Sequence, residues 1–257
     1  MSLHVQQLSV SVSGAELLKN INFTCEAGQL LALCGANGAG KSTLLKTLAG
    51  ERDYSGSIRL GGVELAYLDA AEQARLRAVM PQQCDLNFAF SNLEVIELGL
   101  LFCRTQQEKN KVLTKLCELF QLDELLDKNY MLCSGGQKQR VQLARVVAQI
   151  FQCGGPEGKL LLLDEASSAM DLAITQKAYR GLRKLCSLGV GIVSVVHDLN
   201  VAALYADTVA LLSNGSLSHF GEPAKILTKQ NVEQVFCAEV QVLCAPESGR
   251  PQIYSAF

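Results

Sequence analysis

The sequence predicts an α/β protein whose core is a mostly parallel sheet, with an N-terminal antiparallel β subdomain and an inserted helical subdomain. Three observations carry that expectation. Short, continuously apolar runs at 30–34, 160–163 and 192–196 have the pattern of strands buried on both faces of a parallel sheet. Residues 5–12 alternate like a half-exposed strand and 17–25 return as a second one, which is antiparallel pairing. Residues 92–151 read mostly as helix, with charged faces at 106–111 and 123–128. At 257 residues the chain can bury a full core in one domain. We divide it into an α/β core with the β subdomain (1–91 and 152–233), a helical subdomain (92–151) and a C-terminal tail (234–257).

Each element has a local reason. Ser13-Gly14-Ala15-Glu16 turns the first strand into the second, and Ala27-Gly28 breaks the chain before the 30–34 strand. That strand leads into Gly35 and a helix of roughly 41–49, closed by Gly50. Ala78-Val79-Met80 is a short apolar strand, and Gly154-Gly155-Pro156-Glu157-Gly158 is the loop that closes the helical insert. A last strand pair at 208–212 and 217–220 turns at Asn214-Gly215. The tail from about 234 is weakly patterned and receives no role.

Bulk composition removes several function classes. Apolar residues are 49%, charged residues 19% and the formal net charge is -2, so the basic footprint of a nucleic-acid partner is missing. The ten cysteines are scattered, with no Cys-x-x-Cys pair, and only three histidines accompany them; that disfavours a zinc site. Met-Ser-Leu-His-Val does not open a secretory signal, so we expect reduced, mostly buried cysteines in a cytosolic protein. No apolar stretch approaches the roughly 18–20 residues of a membrane span. If the chain works at a membrane, another chain supplies the spanning part.

The chemistry-bearing motifs narrow the reading to nucleotide chemistry. Gly35-Ala36-Asn37-Gly38-Ala39-Gly40-Lys41-Ser42 is a P-loop in its strand–loop–helix context, which makes the core a P-loop NTPase core. Its backbone N–H groups and the helix N-terminus cradle phosphates; Lys41 is expected on the β- and γ-phosphates, Ser42 on Mg²⁺ and Thr43 on the α-phosphate of ATP. Asp164-Glu165 ends the 160–163 strand where open α/β sheets bind ligands; Asp164 is expected to hold Mg²⁺ and Glu165 to polarise the attacking water. His197 caps the 192–196 strand in the same way and could donate a hydrogen bond to a γ-phosphate, although a lone histidine is more often structural.

Ser134-Gly135-Gly136-Gln137 supports two readings. Ser134 and Gln137 form the sequence of a capping box before an apolar-periodic stretch, worth roughly 1 kcal/mol. Two glycines in a first helical turn cost about 1 kcal/mol each, however, and a bare cap does not need them. They suggest close approach to the backbone, with an anion at the helix N-terminus as the natural ligand.

The Ser134–Gln137 run, the P-loop, Asp164-Glu165, Gln82 in Met80-Pro81-Gln82-Gln83, Asp171 in Ser168-Ala169-Met170-Asp171 and His197 fall in the order of the ATP-binding cassette family. The chain resembles that family over about residues 3–230. The resemblance implies that Glu165, His197 and Gln82 are catalytic, that Ser42, Gln82 and Asp164 serve Mg²⁺, and that Asp171 organises a dimer interface. One cassette per chain implies a homodimer. ATP on the P-loop of each copy would then be completed in trans by Ser134, Gly135, Gly136 and Gln137 of the other.

Finer likenesses lie at 77–99, 197–207 and Glu247-Ser248-Gly249-Arg250-Pro251, which are similar to bacterial haemin-import ATPases. The loop at 154–159 is similar to vitamin B12 import ATPases. That implies a peripheral subunit on the cytoplasmic face of the bacterial inner membrane. Its partners would be two copies of an integral-membrane permease and, indirectly, a periplasmic haem-binding protein, with ferric siderophore or B12 as the alternative cargo. Four positions depart from the family pattern: Cys133 for Leu, Ala166 for Pro with Ser167 for Thr, and Val12 where an adenine-stacking aromatic is expected. Ala166 is expected to loosen the backbone after Glu165 and slow hydrolysis.

Overall fold

A computed structural model describes residues 2–82, 86, 88–152 and 154–256. Gln83, Cys84, Asn87 and Cys153 of the sequence reading lie outside the described residues. The antiparallel N-terminal sheet is formed by β1 (Leu3–Val12) and β2 (Ala15–Cys25), joined by β4 (Ser55–Leu60) and the short β5 (Val63–Glu64) in the order β2-β1-β4-β5. Between these elements lie β3 (Leu30–Gly35) and α1 (Lys41–Leu48). The chain then continues through α2 (Ala70–Leu76) and β6 (Arg77–Met80), then α3 (Asn92–Glu97), α4 (Gln106–Phe120) and α5 (Gly135–Phe151). After β7 (Leu160–Asp164) come α6 (Leu172–Ser187), β8 (Gly191–Val195), α7 (Leu199–Tyr205), β9 (Thr208–Ser213) and β10 (Ser216–Gly221). Two short helices, α8 (Pro223–Ile226) and α9 (Lys229–Phe236), precede the hairpin β11 (Val240–Cys244) and β12 (Pro251–Ser255).

The central sheet has the order β10-β9-β3-β8-β7-β6, parallel throughout except for the β9–β10 hairpin. All described positions of β3, β7 and β8 are buried, which is why they read as unbroken apolar runs. Alternate residues serve opposite faces. Leu30, Ala32 and Cys34 pack with α3, α4, α5 and α6, whereas Leu31 and Leu33 pack with α1 and the N-terminal sheet. α1 contributes Leu44, Leu45 and Leu48 to that second core, each burial worth about 1.5–3 kcal/mol. The helices of 92–151 do not have a separate core: Val95, Ile96, Leu116 and Phe120 join one cluster with Ala78, Met80, Leu161 and Leu163 of the sheet.

Candidate active site

The four adjacent strands β3, β8, β7 and β6 run parallel and end on one edge. β3 delivers the P-loop, β8 delivers His197 two residues past its end, β7 ends on Asp164 with Glu165 next, and β6 delivers Gln82. Register keeps these ends level, with Asp164 opposite Val195 and Leu163 opposite Met80. The carboxyl edge of such a sheet is the place where α/β folds bind ligands.

Two glycines fix the path of the P-loop. A Cβ on Gly35 would lie 2.3 Å from the carbonyl oxygen of Leu212 in β9. Gly40 sits at φ 104° as the N-cap of α1, and a Cβ there would meet the Leu18 side chain at 2.9 Å. The loop is therefore pressed between β9 and β2. Among the described residues no side chain caps α1, so its first-turn N–H groups stay available, as a helix end needs in order to bind an anion. Ala36, Asn37, Gly38 and Ala39 form the turn between these glycines, and Ala39 anchors it by accepting the Gly215 N–H at 3.1 Å. Thr43 lies in the first turn of α1, its carbonyl accepting from Thr47 Oγ1 at 2.8 Å.

Lys41 is buried, and its Nζ donates to Gly35 O at 2.8 Å and Ala36 O at 2.9 Å. Burial pushes this ammonium below the usual lysine range, opposed by Cys34, Glu165 and Asp164. Asp164 is 4% exposed, and burial raises its carboxyl above the usual range; Glu165 adds to that, while the Ser42 hydroxyl, Lys46 and His197 act against it. Ser42 Oγ stands 3.5 Å from Asp164 Oδ1. Both line a cleft of about 310 Å³ together with Gln82, Lys46 and Glu51. Ser42, Asp164 and Gln82 make an all-oxygen donor set, which fits Mg²⁺, a hard cation that keeps several waters.

Glu165 adopts φ 55°, an uncommon conformation for a residue with a side chain, which costs about 1–3 kcal/mol and persists only where neighbours enforce it. They do so here. Ser168 N donates to Glu165 O at 3.2 Å, and His197 Nε2 lies 2.5 Å from Glu165 Oε1, so the imidazole N–H meets the carboxylate directly.

The Ser134 segment opens α5, whose Gln139 reaches Glu165 O. Ser134 is the N-cap of α5: its Oγ accepts from Gln137 N at 3.3 Å, and its own N–H donates to Gln137 Oε1 at 3.0 Å. The capping box is thus formed, while Ser134 and Gly135 remain exposed. The structure also shows what approaches the glycines. A Cβ on Gly136 would lie 3.0 Å from Ala169 O, and one on Gly135 would lie 3.3 Å from Ala169 Cβ. The backbone of 168–171 in the same chain accounts for much of the small-residue requirement that the sequence suggested an anion would explain.

Sequence reasoning missed Gln139. Its Nε2 donates to Ser168 Oγ at 2.8 Å and reaches Glu165 O at 3.5 Å, while its Oε1 accepts from Ala169 N at 2.9 Å. It lies three and four residues after the glycine pair, on the same helical face, and that spacing was the available signal. Asp171 is exposed and caps α6, accepting from Ile174 N at 2.8 Å. Among the described residues, no hydrogen bond joins Ser134–Gln137 or Asp171 to the P-loop. Cys133 is buried and receives Asn92 Nδ2 at 3.2 Å, so the position before Ser134 keeps a packed environment. Ala166 is buried as well, and Val12 lies half-exposed at the β1–β2 tip. No group of three or more metal-ligating His, Cys, Asp or Glu side chains occurs among the described residues.

Residues 18–168 match the family model described as ABC transporter. The chain is similar to hemin import ATP-binding protein HmuV of Deinococcus radiodurans, with 40% identity covering 99% of this chain and 97% of the relative. It is equally similar to the protein of that name from Shewanella denitrificans, with 40% identity covering 98% of this chain and 99% of that one. Among solved structures, "An inward-facing conformation of a putative metal-chelate type ABC transporter" superposes with TM-score 0.80 at 28% identity, covering 100% of this chain and 97% of that chain. "Structure of ATP binding subunit of ABC transporter" gives TM-score 0.76 at 26% identity, covering 88% and 92%.

Proposed function

The chain belongs to the ABC transporter family and is an ATPase, and from that premise we propose that it drives haemin import. It would work as a homodimer on the cytoplasmic face of a bacterial inner membrane, coupling ATP binding and hydrolysis to a separate permease present in two copies. The observation that carries the ATPase chemistry is the convergence of the P-loop, Asp164, Glu165, His197 and Gln82 on one edge of four adjacent strands. The haemin assignment rests on the near-full-length likeness to hemin import proteins.

The residues divide the work. Lys41 and the N–H groups of 35–43 bind and orient the phosphates, a positioning task that makes up most of phosphoryl-transfer catalysis. Mg²⁺ held near Ser42, Asp164 and Gln82 would offset negative charge on the phosphates. Glu165 would accept the proton of the attacking water, and His197, whose Nε2 meets that carboxylate, would hold it in place. Ser134 and Gly135, exposed at the end of a 17-residue helix, are free to meet nucleotide on a second copy. Exposed Leu132 and Leu172 beside Ser134 and Asp171 support an apolar face for that copy.

A membrane partner is supported differently. No helix among the described residues is long and apolar enough to cross a membrane. Leu98, Leu101 and Phe102 nevertheless line a surface groove with Ala74 and Arg75, an apolar seat for a permease segment.

Glu165→Gln tests the chemistry: turnover should fall by at least about 100-fold while ATP still binds and closed dimers accumulate. Retained turnover would remove Glu165 from its role. Haemin-stimulated hydrolysis, measured in liposomes with the cognate permease, tests the cargo; stimulation by a ferric siderophore or by B12 instead would reassign it.

A further inference from the structure

Two stretches of the sequence that resemble haemin-import ATPases, 197–207 and 247–251, lie forty residues apart and meet in space. α7 begins one residue after His197–Asp198 and is only seven residues long. So short a helix leaves its last carbonyls without partners in the helix. Arg250, from the tail, supplies them: its Nη1 donates to Ala203 O at 2.6 Å and to Ala206 O at 3.3 Å. A cation at a helix C-terminus is also favoured by the helix dipole. One turn earlier, Asn200 Nδ2 donates to Ile253 O at 3.0 Å and Asn200 Oδ1 accepts from Ile253 N at 2.8 Å. The side-chain amide thus pairs with β12 as a neighbouring strand would.

A two-stranded hairpin is marginal alone. This one is anchored by its inner face, where Val240 and Pro251 are buried and Val242 and Ile253 pack on the core. The opposite face, with Leu243 and Tyr254, is open to solvent. The tail is therefore docked on the core and on α7 together.

We infer that the C-terminal hairpin is a positioning element for His197: Arg250 and Asn200 fix α7, and α7 fixes the short segment that carries the imidazole to Glu165. β3 sets the other side of that segment, since Val196 N, one residue past β8, donates to Leu33 O at 3.1 Å. His197 itself is half-exposed, so where its ring meets Glu165 depends on these two flanks. The inference deepens the ATPase reading and rests on His197 serving turnover.

The chain has three histidines, His4, His197 and His219, so histidine-selective NMR of the full-length protein reads the position of His197 without reference to catalysis. His197→Ala assigns the signal. Asn200→Ala and Arg250→Ala should each shift or broaden the His197 resonance and leave those of His4 and His219 in place. Arg250→Lys, which keeps a cationic donor, should restore it. The same alanine variants should lower kcat for ATP by about tenfold with KM within about twofold. In a His197→Ala background, Arg250→Ala should add no further loss, because the two changes act through one group.

An unmoved His197 resonance in both alanine variants would overturn the inference, as would a full additional kcat loss on top of His197→Ala. Should Arg250→Ala fail to fold, Asn200→Ala carries the test, since it removes one exposed side chain. If His197→Ala alone keeps full turnover, the catalytic assignment of His197 fails. A resonance that moves in the tail variants then still supports the tail as what sets His197 in place.

Discussion

Asp164 carries its charge against its surroundings. Burial raises its carboxyl above the unfolded value, so the folded state binds that proton more tightly. The stability this group contributes is therefore full at acid pH and is lost as pH rises from the unfolded pKa through the folded one. Asp164→Asn cannot ionise. Its melting temperature should exceed that of the natural chain by roughly 2 °C at pH 7, and the two should converge below the carboxylate range. Mg²⁺-dependent hydrolysis should be lost in the same variant; a variant that melts lower at pH 7 would contradict the electrostatic account. At this scale the sequence was informative wherever chemistry follows a fixed spacing. Lys41, Ser42, Asp164, Glu165, Gln82 and His197 each follow a recognisable apolar strand, and the strand ends meet. Gln139 was not legible, because its partners lie 26–30 residues away and only the folded chain brings them together.

α5 is the element through which the Ser134 end and the Glu165 end communicate. Gln139→Ala removes the bonds to Ser168 and Ala169 that help hold Glu165 in its uncommon conformation. We expect kcat to fall about tenfold and the melting temperature to drop by only about 2–4 °C, measured by steady-state kinetics and calorimetry. Gly136→Ala sets two effects against each other: alanine gains about 1 kcal/mol of helix propensity, while its Cβ meets Ala169 O at 3.0 Å. Melting near the natural value with reduced turnover would show that the 168–171 backbone has shifted. Elements with one clear apolar face or a buried run were legible, including α5, β3, β7 and β8. α2 buries no residue at all, α7 is only seven residues long with Ala202 and Ala203 buried, and the β11–β12 hairpin is short and mostly exposed. Their existence follows from capping and tertiary contacts: Asp69 and Glu72 close a capping box on α2, while Asn200 and Arg250 join α7 to the tail.

On the scale of the whole molecule, the proposed function has one chain present two half-sites. The P-loop, Asp164, Glu165, His197 and Gln82 gather on the edge of β3, β8, β7 and β6, and Ser134 lies at an exposed helix end whose α5 reaches Glu165, Ser168 and Ala169 through Gln139. The sequence alone conveyed the mostly parallel sheet and the antiparallel N-terminal sheet; the single core shared by the sheet and the helices of 92–151 became apparent only from packing. In the proposed homodimer each half is completed by a second copy. The most direct test of that claim is Ser134→Arg, with nucleotide affinity of the monomer and turnover of the dimer measured on the same preparation. Shared sites predict monomer affinity for ATP within about twofold of the natural chain and turnover reduced by about 100-fold or more, because the arginine blocks closure and not the P-loop. Loss of monomer binding in parallel with turnover would contradict the claim.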